Sequence, residues 1–322
     1  MRIGFSLGSL LSVNEILDCA RVLNNYNPDS IWVPETWGMD CSPMLASISQ
    51  IATRPKIGSS IINIYSRTPA LIAMSAATLD LLSNGRFMLG LGTSSEAIVE
   101  EWHGLEFEEP LQRMSEYVEV IKKALSGKKI IHDGKFFHLR NFALLIKPVR
   151  ASVPIYIAAI NQKMVELAWS VGDGVIFYLR PIDEMQNTIT RMTEKKRIDV
   201  ACQLITCVSD DLDEALARAK KTISFYVSVG KIYREFLAKN GFSKETEEIF
   251  DEYKKSGLGR THNFVPDSMV ESLALCGTPG EIPKKLRRFT AAGIDLPIIQ
   301  FNPIGDVAKS FKTLLASLEG EM

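Results

Sequence analysis

The chain has 322 residues, 46% hydrophobic and 23% charged, the balance of a soluble globular protein with ample length for a sizeable core. Its 37 basic and 38 acidic side chains nearly cancel, which leaves no electrostatic footprint for nucleic acid or an anionic membrane. The five cysteines, at 19, 41, 202, 207 and 276, form no CxxC and no zinc-like spacing, so they read as core residues of a reducing compartment.

Strand-like and helix-like runs alternate from the start. Arg2–Leu7 (RIGFSL) reads as a strand, and the following run has apolar residues at helical spacing with Ser12 as its N-cap. Met1-Arg2 leads straight into this strand without an apolar signal core, so a cytoplasmic protein is expected. Ser30–Glu35 (SIWVPE) is the second strand, followed by a helix over 43–53. KIGSSIIN, from Lys56 to Asn63, is the third. Thr68 caps the next helix, Pro69 suits its first turn and Asn84-Gly85 ends it. Arg86–Gly92 (RFMLGLG) is almost continuously apolar, as a strand buried on both faces must be. The apolar region 70–91 is broken by Asp80, Asn84 and Arg86, so no membrane span is expected.

Pro110–Leu125 reads as a long helix, and two β-rich runs around Asp133-Gly134 predict a hairpin near 130–142. Pro154–Ala159 is the fifth strand, with a helix over 162–171. Asp173–Tyr178 is the sixth, with a helix opening at Pro181. Asp199–Val208 is the seventh, followed by a long helical run over 211–237. The polar segment 240–264 reads as an inserted excursion. Helices over 266–275 and 279–292, an eighth strand at Leu296–Phe301 and a helix from Asp306 complete the chain. Eight β-then-α units without a linker predict a single α/β domain, a (β/α)8 TIM barrel with insertions; a doubly wound sheet with a helical appendage is the alternative.

In a barrel the working groups gather at the C-terminal strand ends. Those ends carry Ser6, Glu35, Ser60 to Asn63, Thr93 to Ser95, Ile160 to Gln162, Phe177 to Leu179, and Gln300 to Asn302. The set is rich in hydroxyls and amides, with one clear carboxylate, and contains no Ser-His-Asp arrangement. Of the four histidines only His103 closely follows a strand end, so a metal centre is not expected. Ile160-Asn161-Gln162 opens a helix whose free N–H groups would suit an anion. Gly90 and Gly92 begin a GxGxx pattern that Ser95 fails to complete, so crowding relief and ligand contact both remain open for them.

GSSIINIYSRTPALIAMSAATLDLLSNGRFMLGLGTSS, with its Asn63, Tyr65, Arg67, Pro69, Ala77, Asp80, Ser83, Gly85 and Arg86, resembles the third and fourth units of the bacterial luciferase-like superfamily. It is most similar to the branch that uses the deazaflavin coenzyme F420, which includes methylenetetrahydromethanopterin reductase. VPETWG, PIYIAAINQKMVELAWSVGDGV and CGTPGEIPKKLRRFTAAGIDLPI extend the resemblance over nearly the whole chain.

The resemblance implies a non-proline cis peptide at Ser60–Ile61, forming a bulge that backs a flavin or deazaflavin ring. It further implies that Ser60 and Ile61 back the ring and that Asn63 fixes its pyrimidine edge. Thr93 and Ser94 would line the cofactor's side chain, Ile160, Asn161 and Gln162 its phosphate, and Phe177 and Tyr178 the flank of the ring. Arg67 would serve either the cofactor's negative tail or a structural ion pair. Glu35 is the candidate proton donor, with the tethering of its own loop as the competing role. The implied activity is hydride transfer between deazaflavin C5 and a small organic substrate, a methylene-tetrahydropterin among them. An FMN-dependent monooxygenase and a non-enzymatic flavin-binding barrel are the alternatives. A homodimer is expected. Two departures stand out: Ser6 occupies the place where the reductase branch carries an acid, and Glu35-Thr36 replaces the Asp-His of many F420 enzymes.

Overall fold

The computed structural model describes residues 1–8 and 10–321. Its eight principal strands are parallel and close into a (β/α)8 barrel, as the alternation predicts. Two compact units can be separated, one of residues 7–176 and one of residues 1–6 with 177 onward.

The first strand is β1 (Gly4–Ser6), followed by α1 (Val13–Tyr26). Ser12 caps α1 in a reciprocal capping box with Glu15. Next come β2 (Ser30–Val33), α2 (Cys41–Ile51), β3 (Lys56–Ser59), β4 (Ile62–Asn63), α3 (Pro69–Leu82) and β5 (Phe87–Gly92). The strand expected over 56–63 is thus two strands. Helix α2 starts earlier than expected because Asp40 caps it, accepting from the Ser42 N–H at 2.9 Å.

Helix α4 (Pro110–Leu125) precedes the hairpin β6 (Ile130–Asp133) and β7 (His138–Phe142). The Glu116 carboxylate on α4 accepts the N–H groups of Lys135 and Phe136, both at 3.0 Å, and so ties down the hairpin turn. Behind it, fully buried Asp80 of α3 takes the guanidinium of Arg150 at 2.5 and 3.0 Å and the Val149 N–H at 2.9 Å. A carboxylate this deep persists because each oxygen is paired. Then follow β8 (Ile155–Ala158), α5 (Gln162–Val171), β9 (Gly174–Tyr178) and α6 (Ile182–Thr193).

Strand β10 (Asp199–Val208) leads to α7 (Leu212–Val229) and α8 (Lys231–Leu237). The expected single helix over 211–237 breaks at Gly230, where a Cβ would lie 2.7 Å from both the Tyr226 carbonyl and the Tyr233 ring. The polar excursion is largely helical: α9 (Ser243–Ser256) buries Thr246 and Ile249, and Ile249 joins an apolar cluster with Ile223, Val227 and Leu237. Helix α10 (Asp267–Leu273) stops short of its expected end because β11 (Ala274–Gly277) pairs in parallel with the last four residues of β10. A free strand edge recruits backbone partners more strongly than helix propensity resists. Helix α11 (Ile282–Ala291), β12 (Leu296–Phe301) and α12 (Val307–Ser317) close the chain. Strand β12 lies between β1 and β10, with Ser6 beside Gln300 and Gln203 beside Ile298.

Candidate active site

The interrupted third strand organises residues 7–176. Gly58 pairs with Met88 and Ile62 with Leu91, so one more residue lies along β3–β4 than along β5. That extra residue is a bulge. The peptide bond between Ser60 and Ile61 is cis, where the resemblance implied it. Across the gap the Ser59 hydroxyl replaces the missing ladder, donating to the Gly90 carbonyl and accepting the Gly90 N–H, both at 2.9 Å.

The two glycines of β5 follow from this crossing. A Cβ on Gly90 would lie 1.9 Å from the Ser59 carbonyl oxygen, and one on Gly92 would lie 2.5 Å from Ile61 Cδ1. Gly90 and Gly92 therefore relieve crowding. Gly58 does the same against the Trp32 ring, 2.5 Å away. Beyond the bulge the chain is fixed by Asn63, whose Oδ1 accepts the Tyr65 N–H at 2.9 Å while its backbone carbonyl accepts from Ser66. Asn63 is buried, yet its Nδ2 has no partner, and neither has the buried Ser60 hydroxyl. A fold with most of its buried polar groups paired rarely leaves two such atoms within four residues of one another without a ligand or water to meet them.

Glu35 follows β2. Arg67 donates to both its carboxylate oxygens, at 2.6 and 2.9 Å, and the Cys41 N–H reaches Oε2 at 3.2 Å. Arg67 also holds Asp40 at 2.8 Å, and Tyr117 donates to its carbonyl at 3.0 Å. The hydrogen bonds that Arg67 donates to Glu35 raise its pKa against the cost of burial, and the charges of Glu35 and Asp40 add to this. Of the two roles open to Arg67, this is the structural ion pair. It joins the loop after β2 to the loop after β4, and the same bonds give Glu35 the tethering role. Glu35, Asp40 and Cys41 lie close enough together to suggest a metal site, but the guanidinium already sits among the carboxylates.

Thr93 and Ser94 follow β5 and are half-buried; Ser94 adopts a left-handed conformation, with φ of 59°. Asn161 caps α5, its Oδ1 accepting the Met164 N–H at 3.0 Å, and Gln162 donates to Glu166 at 2.9 Å. Part of the anion-binding capacity of this helix start is thus already used by Asn161 itself. Ile160 is half-buried just before it.

Among residues 177 onward, Phe177 is fully buried with the Arg180 guanidinium 4.5 Å from its ring centre. A ring with no accessible surface is a core residue, so the flanking role expected for Phe177 gives way to packing. Tyr178 is half-buried and meets the rings of Tyr226 and Tyr233 edge-on, at 5.1 and 5.8 Å. Burial, followed by Tyr226 and Tyr233, pushes its hydroxyl pKa well up, with the Gln300 side chain opposing.

Residues 2–296 match the model of the luciferase-like monooxygenase family. The chain belongs to that family. Like its members it is an enzyme. Among curated members, the 5,10-methylenetetrahydromethanopterin reductase of Archaeoglobus fulgidus is 27% identical over 299 residues, covering 89% of each chain. The enzyme of the same name from Methanolobus tindarius is 26% identical over 304 residues, covering 91% of each. In fold, the coenzyme F420-dependent tetrahydromethanopterin reductase of Methanopyrus kandleri superposes with a TM-score of 0.87 at 21% identity, over 100% of this chain and 98% of that one.

In this luciferase-like enzyme, the ladder substitute supplied by the Ser59 hydroxyl is marked by neither composition nor periodicity. A hydroxyl directly before an expected bulge is the signal that the ladder needs a substitute. A cavity of about 610 Å³ lies between α3 and the hairpin, with Met74, Leu139 and Leu144 in its lining. Among the described residues no helix is long and apolar enough to cross a membrane.

Proposed function

We propose that the protein is an F420-dependent oxidoreductase that moves a hydride between the deazaflavin and a small organic substrate. The observation that carries this reading is the interrupted strand with buried, unpaired Asn63 Nδ2 and Ser60 Oγ. It is supported by the curated relatives named for methylenetetrahydromethanopterin reduction and by the F420-dependent reductase of the same fold. The residues present suit the group. Gly90 and Gly92 let the 59–61 backbone lie flat, and Asn63 offers an amide donor to a carbonyl edge.

When bound, F420 supplies the carbon that carries the hydride, so little acid–base machinery is asked of the protein. Ser60 and Ile61 back the ring, and Asn63 Nδ2 orients it. Thr93 and Ser94 line the side chain, while the start of α5 at Ile160, Asn161 and Gln162 receives the phosphate. Glu35 acts as a positioning residue through Arg67, holding the loop after β4 in place. Among substrates, a methylene-tetrahydropterin fits the names of the relatives best.

Self-association through α3 accords with an exposed apolar face of Leu71, Met74, Leu81 and Leu82. Sedimentation at micromolar concentration should give twice the monomer mass, and a monomer throughout would rule this pairing out.

F420 titration, read as quenching of the deazaflavin fluorescence, tests the cofactor. Asn63→Asp keeps the oxygen that holds Tyr65 and removes the donor, so F420 affinity should fall about tenfold with folding intact. Retention of FMN with no F420 binding would reject the proposal.

A further inference from the structure

The cavity between α3 and the hairpin belongs wholly to residues 7–176. Its floor includes Ala70 of α3 and Ala124 of α4, and Leu139 and Leu144 pack against a small buried cluster of Ala73, Ala124 and Ile130. These short side chains leave about 610 Å³ open beside Met74, Leu139 and Leu144. Close-packed protein interiors do not leave voids of this size, whereas small-molecule sites occupy ~300–1,000 Å³. The Thr78 hydroxyl in the lining donates to the Met74 carbonyl of its own helix at 2.9 Å, so the body of the cavity is apolar.

Charge gathers at its edge. His138 and Arg140 of β7 line the cavity together with exposed Phe142, Leu145 and Ile146. His138 meets Asp133 at 2.7 Å. Asp133 is the one acid of segment 128–150, which carries six lysines and arginines in a chain of net charge −1. Lys135 pairs with Glu109 and Arg150 with Asp80. Among the described residues Lys128, Lys129, Arg140 and Lys147 have no acidic partner. Lys147 lies over the turn before the hairpin, its Cε 3.3 Å from where a Cβ on Gly127 would stand. The apolar body thus suits a hydrocarbon, and the basic edge suits an anion. A second copy of the chain suits it poorly, because a two-fold pairing through this edge would set like cations against each other.

We propose that this cavity binds a single-chain anionic amphiphile, with its hydrocarbon among Met74, Leu139 and Leu144 and its carboxylate or phosphate head against Arg140. Burial of the chain supplies most of the affinity, and the Arg140 guanidinium selects the sign of the head. The unpaired lysines around the hairpin add longer-range attraction. A cavity bounded by α3, α4 and the hairpin takes one chain, so the occupant is a free molecule rather than a bilayer. Its binding requires neither the bulge at residue 60 nor F420.

The test is isothermal titration of dodecanoate, kept below its micelle concentration, into the full chain. A single saturable site is expected. Dodecyltrimethylammonium, the same tail length with a cationic head, should bind about tenfold more weakly. Arg140→Glu should weaken dodecanoate about tenfold or more and strengthen the cationic amphiphile. Arg140→Gln gives a smaller loss in the same direction and carries the test if charge reversal disturbs the hairpin. Ala143→Trp, which puts a ring into the lining, should weaken both amphiphiles. Absence of a saturable dodecanoate site, equal affinity for the two heads, or dodecanoate affinity unchanged in both Arg140 variants overturns the proposal. Co-sedimentation with phosphatidylglycerol vesicles in the absence of dodecanoate binding assigns the face to a bilayer and overturns it. Variants that change the sedimenting mass of the protein but not its dodecanoate affinity assign the face to a second copy, and overturn it too.

Discussion

Replacing Glu35 by Gln separates a structural carboxylate from a chemical one. The substitution keeps the size of the side chain and removes its charge. Arg67 then loses two charge-assisted hydrogen bonds, of 2.6 and 2.9 Å, but keeps its contact with Asp40 at 2.8 Å. The guanidinium is therefore not stranded, and the loss falls below the 3–5 kcal/mol of a buried pair broken outright. Hydrogen bonds to charged groups contribute about 1.5–3 kcal/mol, and the amide oxygen of Gln restores part of this. A net loss of about 2 kcal/mol follows. For a chain of this size, ~2 °C per kcal/mol gives a Tm lowered by ~4 °C in a circular-dichroism melt at pH 7. Turnover with F420 should fall only a few-fold, because the loop after β4 loosens while no reacting group is lost. Pairing Glu35→Gln with Arg67→Met in a double-mutant cycle should show coupling of about 1–2 kcal/mol. An unchanged Tm together with a hundredfold loss of kcat would refute the positioning role and restore Glu35 as the proton donor.

Three further outcomes are expected. Gly90→Ala should be more destabilising than Gly92→Ala, because the first meets the backbone carbonyl of Ser59 and the second the movable tip of Ile61; F420 affinity should fall in Gly92→Ala, and equal melts for the pair would contradict the crossing described. Asp80→Ala removes the acceptor for Arg150 and for the Val149 N–H, which should cost about 3 kcal/mol and loosen proteolytic protection around residue 149; protection unchanged from wild type would refute it. The Glu116 carboxyl is held below its ordinary pKa: burial opposes this, but the N–H groups of Phe136 and Lys135, then Gln112 and His132, outweigh it. A depressed carboxyl stabilises the folded chain above its unfolded pKa of 4.5 and loses that contribution as pH falls through the lower folded value. Protection of the Lys135 and Phe136 amides, after correction for the intrinsic pH dependence of exchange, should fall in wild type below pH 4.5, and in Glu116→Gln it should be lower throughout and less dependent on pH. Equal acid dependence in both proteins would remove Glu116 from the account.

Local chemistry made much of the fold legible. Ser12 with Glu15, and Thr68 with Pro69, are caps whose partners lie within one turn, so the sequence contains both halves of each interaction. The apolar run of β5 declared burial on two faces, and eight such alternations admit few architectures. The bulge at residue 60 was legible only through resemblance, since its cause is distant: Gly90, Gly92 and the Ser59 hydroxyl must meet across two strands. The same holds for Arg67, whose partners Glu35 and Asp40 are some thirty residues upstream and whose role in the sequence could not be divided between ligand and ion pair.

Misplaced elements have two origins. Helix propensity favoured continuity through Gly230 and through Ala274; the first break is local, where the Tyr226 carbonyl and the Tyr233 ring leave no room for a Cβ, and the second is long-range, the open edge of β10. Sequence by itself determined where strands and helices alternate and which ends carry hydroxyls and amides. Tertiary structure alone decided which of those polar atoms are paired and which are left bare. Pairing depends on neighbours brought together by strand register, and register is a property of the closed sheet rather than of any one segment.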